Sequence, residues 1–263
     1  MLKIAKQISK PSDDLFSYNI LLAGPKKIGK TSLISACPDH HIFEGEPGNA
    51  SHLECSFTDI HNWAEAEEML VFLQENPNFC KTIGIDDIPS FYQYCVKHKM
   101  AELGKKHSSD LGYKGWEDAK NTFEKWCRGI NRLPMGKIYT THVQVVTGKS
   151  IVNEEITQLE TTMSNQCREV LNSFIHVTGF IMPNKDGSRY LQISSDGYVM
   201  ASNGFSKHFL DAKTGKQIMK IPLGFSEKEG YKLLTQCWEN KLSVAKSVEK
   251  PKNEPIDLTK GLV

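Results

Sequence analysis

Gly24-Pro25-Lys26-Lys27-Ile28-Gly29-Lys30-Thr31 spells the phosphate-binding loop G-x-x-x-x-G-K-[ST] without a mismatch. Its context fits as well. Tyr18 to Ala23 is a short apolar run of strand type, and Thr31 to Ala36 reads as the first turns of a helix. Strand, glycine loop and helix are the setting in which this motif carries meaning. Gly24 and Gly29 let the backbone turn tightly and turn N–H groups toward phosphate oxygens. A helix starting near Gly29 adds its positive dipole end. Lys30 reaches the β- and γ-phosphates, and the Thr31 hydroxyl suits Mg²⁺. The expected ATP-binding set is Gly24, Pro25, Lys26, Lys27, Ile28, Gly29, Lys30, Thr31 and Ser32.

Composition bounds the rest. The chain has 263 residues, with 32 Lys+Arg against 31 Asp+Glu. Length allows one large α/β domain, and balanced charge means that any nucleic-acid contact must come from local patches. No apolar run approaches the roughly 20 residues that span a bilayer. Met1 to Ser12 carries lysines but no apolar core of a secretory signal. The seven cysteines are scattered without a C-x-x-C pair, which argues for a reducing cytoplasm.

From residue 17 to about 182 strands and helices alternate, the pattern of a mostly parallel sheet flanked by helices. His41-Ile42-Phe43 and Thr82-Ile83-Gly84-Ile85 read as strands. Trp63 to Gln74, Phe91 to Leu103 and a long stretch from Trp116 to Ile130 read as helices. Residues 104–114 read as a polar loop, and 143–163 as a second loop with no strong period. An antiparallel section follows, with strands at His176 to Met182 and Arg189 to Ser194 around an Asn184-Lys185-Asp186-Gly187 turn. Ser226 with Glu229 marks a capping box before a last helix. The expected division is an N-terminal segment 1–16, a domain 17–239 and a flexible tail 240–263.

A nucleotide site needs acids as well as a cradle. Asp86, at the end of an apolar strand, is the expected Mg²⁺ carboxylate together with Thr31. Glu46 and Asp87 are candidates for polarising the attacking water, with Glu44 competing but read as a solvated turn residue. In a parallel sheet the strand C-termini share one crevice, so Glu46, Asp86 and His142 can converge on one ligand. His142 is placed either against the γ-phosphate or as a strand cap.

The order of these features resembles the RecA-type ATPase core. More closely, it resembles the small phage-encoded RecA-like ATP-binding proteins of single-strand annealing and recombination. Asn19 to Leu33, Phe43 to Gly48, Ile83 to Tyr94, Asp110 to Trp126 with Leu111-Gly112-Tyr113-Lys114-Gly115-Trp116, Thr141-His142 and Asn165 to Leu171 carry the likeness. The resemblance implies a RecA-like P-loop NTPase fold that binds ATP through Lys30 and Thr31. It implies metal support by Asp86, water positioning by Glu46, and DNA-facing loops at about 104–115 and 143–163. Lys105, Lys106, Lys114 and Lys149 are then the expected contacts to single-stranded DNA. It implies assembly into a homo-oligomeric ring or filament with a basic residue supplied in trans, for which Arg189, Lys185 and Lys207 are candidates. The setting would be the host cytoplasm.

A second class of function shares these residues: a nucleotide switch that loads or regulates a replication or single-strand-binding protein, docking through the C-terminal tail. A small-molecule kinase also shares the loop, but it needs an arginine-rich lid, and Arg128, Arg132, Arg168 and Arg189 do not cluster in sequence.

Overall fold

A computed structural model describes residues 12–149 and 155–244. The first strand, β1 (Asn19–Ala23), is buried along its whole length. Its residues alternate between two cores: Leu21 faces one, Ile20 and Leu22 the other. A strand covered on both faces reads as a continuous apolar run, which is what Ile20 to Ala23 is. The phosphate loop leads into α1 (Lys30–Ser35). Then come β2 (His40–Glu44), β3 (Phe57–Asp59), α2 (Trp63–Glu75), β4 (Thr82–Asp86) and α3 (Ile88–Glu102). The long α4 (Gly112–Asn131) precedes β5 (Gly136–Thr141).

Strand order is β11-β9-β8-β1-β5-β4-β2-β3, where β8 is Val177–Pro183, β9 Arg189–Gln192 and β11 Lys220–Gly224. From β3 to β8 all neighbours are parallel; β9, β11 and the two-residue β10 (Ser202–Asn203) pair antiparallel. This is the RecA-like P-loop NTPase architecture expected from the sequence, with its antiparallel section at the C-terminal side.

Helices cover both faces. On one, α2, α3, α4 and α5 (Asn165–Asn172) close over Leu21, Ile83, Ile85 and Tyr139 with a nest of rings, Trp63, Phe91, Phe123 and Trp126. On the other, α1 and α6 (Glu227–Trp238) cover Ile20, Leu22, Ile138 and Leu191.

Several sequence expectations need correction. Residues 143–163 are not an irregular loop: β6 (Val143–Lys149) and β7 (Glu155–Thr161) form an antiparallel hairpin in the register Val143↔Thr161 to Lys149↔Glu155. Its period is hard to see because Val145 and Val146 are both exposed, while Leu159 is buried. A ribbon that leaves the domain has no core to impose alternation. Arg168 anchors its base, donating to Glu160 at 2.7 Å and to the Thr161 carbonyl at 3.3 Å. The 104–114 stretch holds a short 3₁₀ turn, Ser108–Leu111, and α4 starts at Gly112 rather than Trp116. Strand β11 shows no clear strand pattern in the sequence because Pro222 interrupts it, and a sheet edge tolerates that proline. The capping box before α6 is modified. Ser226 accepts from the Glu229 N–H at 3.3 Å, but the Glu229 carboxylate takes the Phe225 N–H at 3.0 Å.

At the two ends, packing extends beyond the expected boundaries. Leu15 and Phe16 are buried, and Phe16 stacks on Tyr231. Asn240 accepts from the Leu210 N–H, and Asp211 accepts from the Val244 N–H, both at 2.8 Å. The rest of the expected tail and the first eleven residues lie outside the described residues.

Candidate nucleotide site

The phosphate loop is built on close approach. A Cβ on Gly24 would lie 2.9 Å from the Ile181 carbonyl oxygen, and Gly29 has φ +96°. Both positions therefore demand glycine. Lys27 also adopts positive φ, at 62°, and is exposed. Lys26 is exposed too.

Lys30 is 5% exposed. Its ammonium donates to the carbonyls of Gly24 at 3.0 Å and Pro25 at 2.9 Å, and meets His142 Nδ1 at 3.2 Å. Burial lowers it to about 8, against the opposing pull of Asp86, Asp87 and Glu46. His142 is held below its ordinary value, first by burial and then by the Lys30 charge. A neutral ring accepting at Nδ1 carries its proton on Nε2. That nitrogen lies 3.9 Å from Asp87 Oδ2.

Asp86 is the centre of the candidate metal half. One carboxylate oxygen accepts from the Thr31 hydroxyl, the other from the Thr140 hydroxyl. A buried carboxylate beside a half-buried hydroxyl at the strand-end crevice fits a hard divalent cation that keeps most of its waters. Thr31 and Asp86 would hold Mg²⁺. Thr140 orients Asp86, a role the sequence reading missed.

Asp87 is neither solvated nor free. It is the N-cap of α3, accepting from the Ser90 N–H at 3.1 Å and hydroxyl at 2.6 Å. Burial raises its carboxyl, with the Ser90 bonds opposing. Ligand atoms of Glu46, Asp87 and His142 lie within 4.8 Å of one another. Glu46 is the exposed member.

Glu44 also corrects the sequence reading. It is the last residue of β2 and 0% exposed, not a solvated turn residue. Its backbone pairs in register with Asp86 on one side and Asp59 on the other. Neither carboxylate oxygen has a hydrogen-bond partner among the described residues. Burial, then the Asp86 charge, raises it to about 7. The signal was available: Glu44 follows His41-Ile42-Phe43 just as Asp86 follows an apolar strand.

The remaining expected residues divide by place. The Arg189 guanidinium donates to the Ile28 carbonyl of its own chain at 3.2 Å and packs on Gly29. This contact is made within one chain. Lys185 is exposed in the β8–β9 turn. Lys207 lies at the opposite end of the sheet, where its carbonyl accepts from Asn240 just past α6. Ser32 lies on α1, part-buried. Lys105, Lys106 and Lys114 are exposed around the far end of α3. A helix of that length rises about 22 Å, so they do not join the phosphate site. Lys149 ends β6; its side chain lies outside the described residues.

Among the described residues no helix is long and apolar enough to cross a membrane. A search of curated proteins gives no match. Among solved structures, a KaiC-like protein from the hyperthermophilic archaeon Pyrococcus horikoshii OT3 is similar over 81% of this chain and 87% of its own, at 11% identity and a TM-score of 0.41. The family model described as an AAA domain, AAA_24, matches residues 17–204. With most of its length matched, the chain belongs to that AAA-domain family.

Proposed function

We propose that this chain binds Mg²⁺·ATP and hydrolyses it, and that it acts on single-stranded DNA in phage recombination or strand annealing. The convergence of Lys30, Thr31, Asp86 and His142 at adjacent strand ends carries the nucleotide half of this reading. When bound, the metal would screen phosphate charge and help orient the terminal phosphoryl group. Lys30 turns from the loop carbonyls toward the phosphates. Neutral His142 offers a lone pair to Lys30 and an N–H on its other face. Glu46, open to solvent beside Asp87 and His142, is the carboxylate best placed to orient a water.

The DNA half rests on the exposed Lys105, Lys106 and Lys114 and on the β6–β7 ribbon that ends in Lys149. Tyr113, 84% exposed beside Lys114, adds a face on which a base could stack. Assembly into a ring or filament would align these elements along a strand. The balance of 32 basic against 31 acidic residues favours the second reading, a nucleotide switch acting on a replication partner.

The test has two arms. The Lys30→Ala variant should lose hydrolysis; unchanged turnover would end the ATPase assignment. Alanine at Lys105, Lys106 and Lys114 should weaken single-stranded DNA binding and flatten its salt dependence, by a log–log slope of roughly 0.7 per lost phosphate contact, with ATP binding intact. Wild-type protein that shows no ATP-stimulated DNA binding at low salt would favour the switch.

A further inference from the structure

The residues around β1 give the nucleotide site a direction. On one flank β5 and β4 end in the His142 and Asp86–Asp87 region, the metal and terminal-phosphate side. On the other flank lie β8, β9 and β11. A triphosphate whose end lies at Lys30 and Asp86 would extend its sugar and base toward that second flank.

Two side chains wait there. Arg189 packs so closely on the loop that a Cβ on Gly29 would lie 2.1 Å from its Nη1. Across the β9–β11 pair, Arg189 faces Gly224. The next residue is Phe225, 68% exposed. A lone exposed ring means nothing by itself. Its mounting and its place give it meaning. Gly224 has φ +64°, and the Glu229 carboxylate fills the space a Cβ would need there. That same carboxylate accepts from the Phe225 N–H, and Ser226 caps α6 immediately after. The ring thus follows a clamped turn at the end of β11, next in sequence to the residue that pairs with Arg189, whose own guanidinium reaches the phosphate loop.

We infer that Phe225 is the platform on which the base of a bound nucleoside triphosphate stacks, with Arg189 of the same chain between it and the phosphate loop. An aromatic face binds any base through stacking, so the platform supplies affinity for the nucleoside rather than strict choice among bases. The inference rests on the nucleotide reading above.

The experiment measures binding of ATP and of inorganic tripolyphosphate to the full chain. For Phe225→Ala, ATP affinity should fall by about ten-fold, in the range that loss of one stacked base produces. Tripolyphosphate affinity should be unchanged. For Phe225→Trp, ATP affinity should return. ATP should then quench the added indole over the background of the four native tryptophans, and tripolyphosphate should not. Arg189→Ala should weaken both ligands. Unchanged ATP affinity in Phe225→Ala overturns the platform, as does a parallel loss of ATP and tripolyphosphate. If wild-type protein binds neither ligand, the nucleotide reading itself fails, an outcome distinct from failure of the platform alone.

Discussion

The Thr31 hydroxyl on the first turn of α1 donates to the Asp86 carboxylate at the end of β4, joining the phosphate loop to the strand that ends in the proposed metal acid. The bond sets both groups side by side. Replacing Asp86 by Asn keeps a polar group of the same shape within reach of Thr31 and Thr140, but removes the charge that a divalent cation needs. We expect Asp86→Asn to lower Mg²⁺-dependent hydrolysis by about a hundred-fold or more while sparing part of nucleotide binding. Turnover against Mg²⁺ concentration checks this, and full activity at ordinary Mg²⁺ would remove Asp86 from the site.

In the proposed hydrolysis, two glutamates compete for the water. Glu46 is open and near His142; Glu44 is buried beside Asp86. Glu46→Gln should keep ATP binding and stop hydrolysis. Glu44→Gln replaces a carboxyl already raised to about 7, so at pH 7 it removes only part of a charge. We expect it to cost less turnover than Glu46→Gln. The reverse order in a single-turnover assay would assign water positioning to Glu44.

His41 predicts a pH dependence of stability. Its ring nitrogens lie 2.7 Å from the Ser56 hydroxyl and 2.9 Å from the Thr58 hydroxyl, and burial lowers it from 6.5 to about 4. The unfolded chain therefore binds a proton between those values while the folded chain does not. Stability is fully present above pH 6.5 and falls as pH drops toward 4. A His41→Gln variant should show a shallower fall over that window in denaturant titrations. An equal slope in both proteins would show that His41 is not the group responsible.

Much of this was legible in the sequence, and for local reasons. The phosphate loop, its strand and its helix are contiguous, so spacing alone placed Lys30 and Thr31. Asp86 was legible because it ends an apolar run. What failed depended on neighbours distant in the chain. Glu44 ends a short apolar run, a local signal like that of Asp86, but its burial between Asp59 and Asp86 comes from the pairing of β2 with β3 and β4. Thr140 is one of several strand threonines, and only the β4–β5 register brings it to Asp86. The β6–β7 ribbon has no buried face along most of its length, so no apolar period marks it.

Lys27 offers a test of loop strain. A non-glycine residue in the left-handed region costs roughly 1–2 kcal/mol, while a new glycine costs about 0.5–1 kcal/mol through the freedom of the unfolded chain. The first effect is larger, and Lys27 is exposed, so little packing is lost. Lys27→Gly should raise stability by up to about 1 kcal/mol, or roughly 2–4 °C in melting temperature for a domain of this size. A lower melting point would mean that the Lys27 side chain makes a stabilising contact that outweighs its backbone cost.

Arg189 decides between action within a chain and action between chains. An arginine delivered by a neighbour can contribute about 10³–10⁵ in rate when it meets the transferring phosphoryl group. The contact from Arg189 Nη1 to the Ile28 carbonyl is internal, and it would have to break before the guanidinium could serve another subunit. Arg189→Ala and Lys30→Ala should each be inactive. If Arg189 works on its own loop, every chain in a mixture of the two carries one fatal defect, and no mixing ratio restores hydrolysis. If it works across a boundary, interfaces that pair an intact loop with an intact arginine recover activity, with a maximum near equal mixing. We expect no recovery in co-assembled mixtures. Lys185, exposed in the β8–β9 turn, then becomes the basic residue to test in trans. Recovery would place Arg189 at a subunit interface, detached from Ile28 in the assembled state.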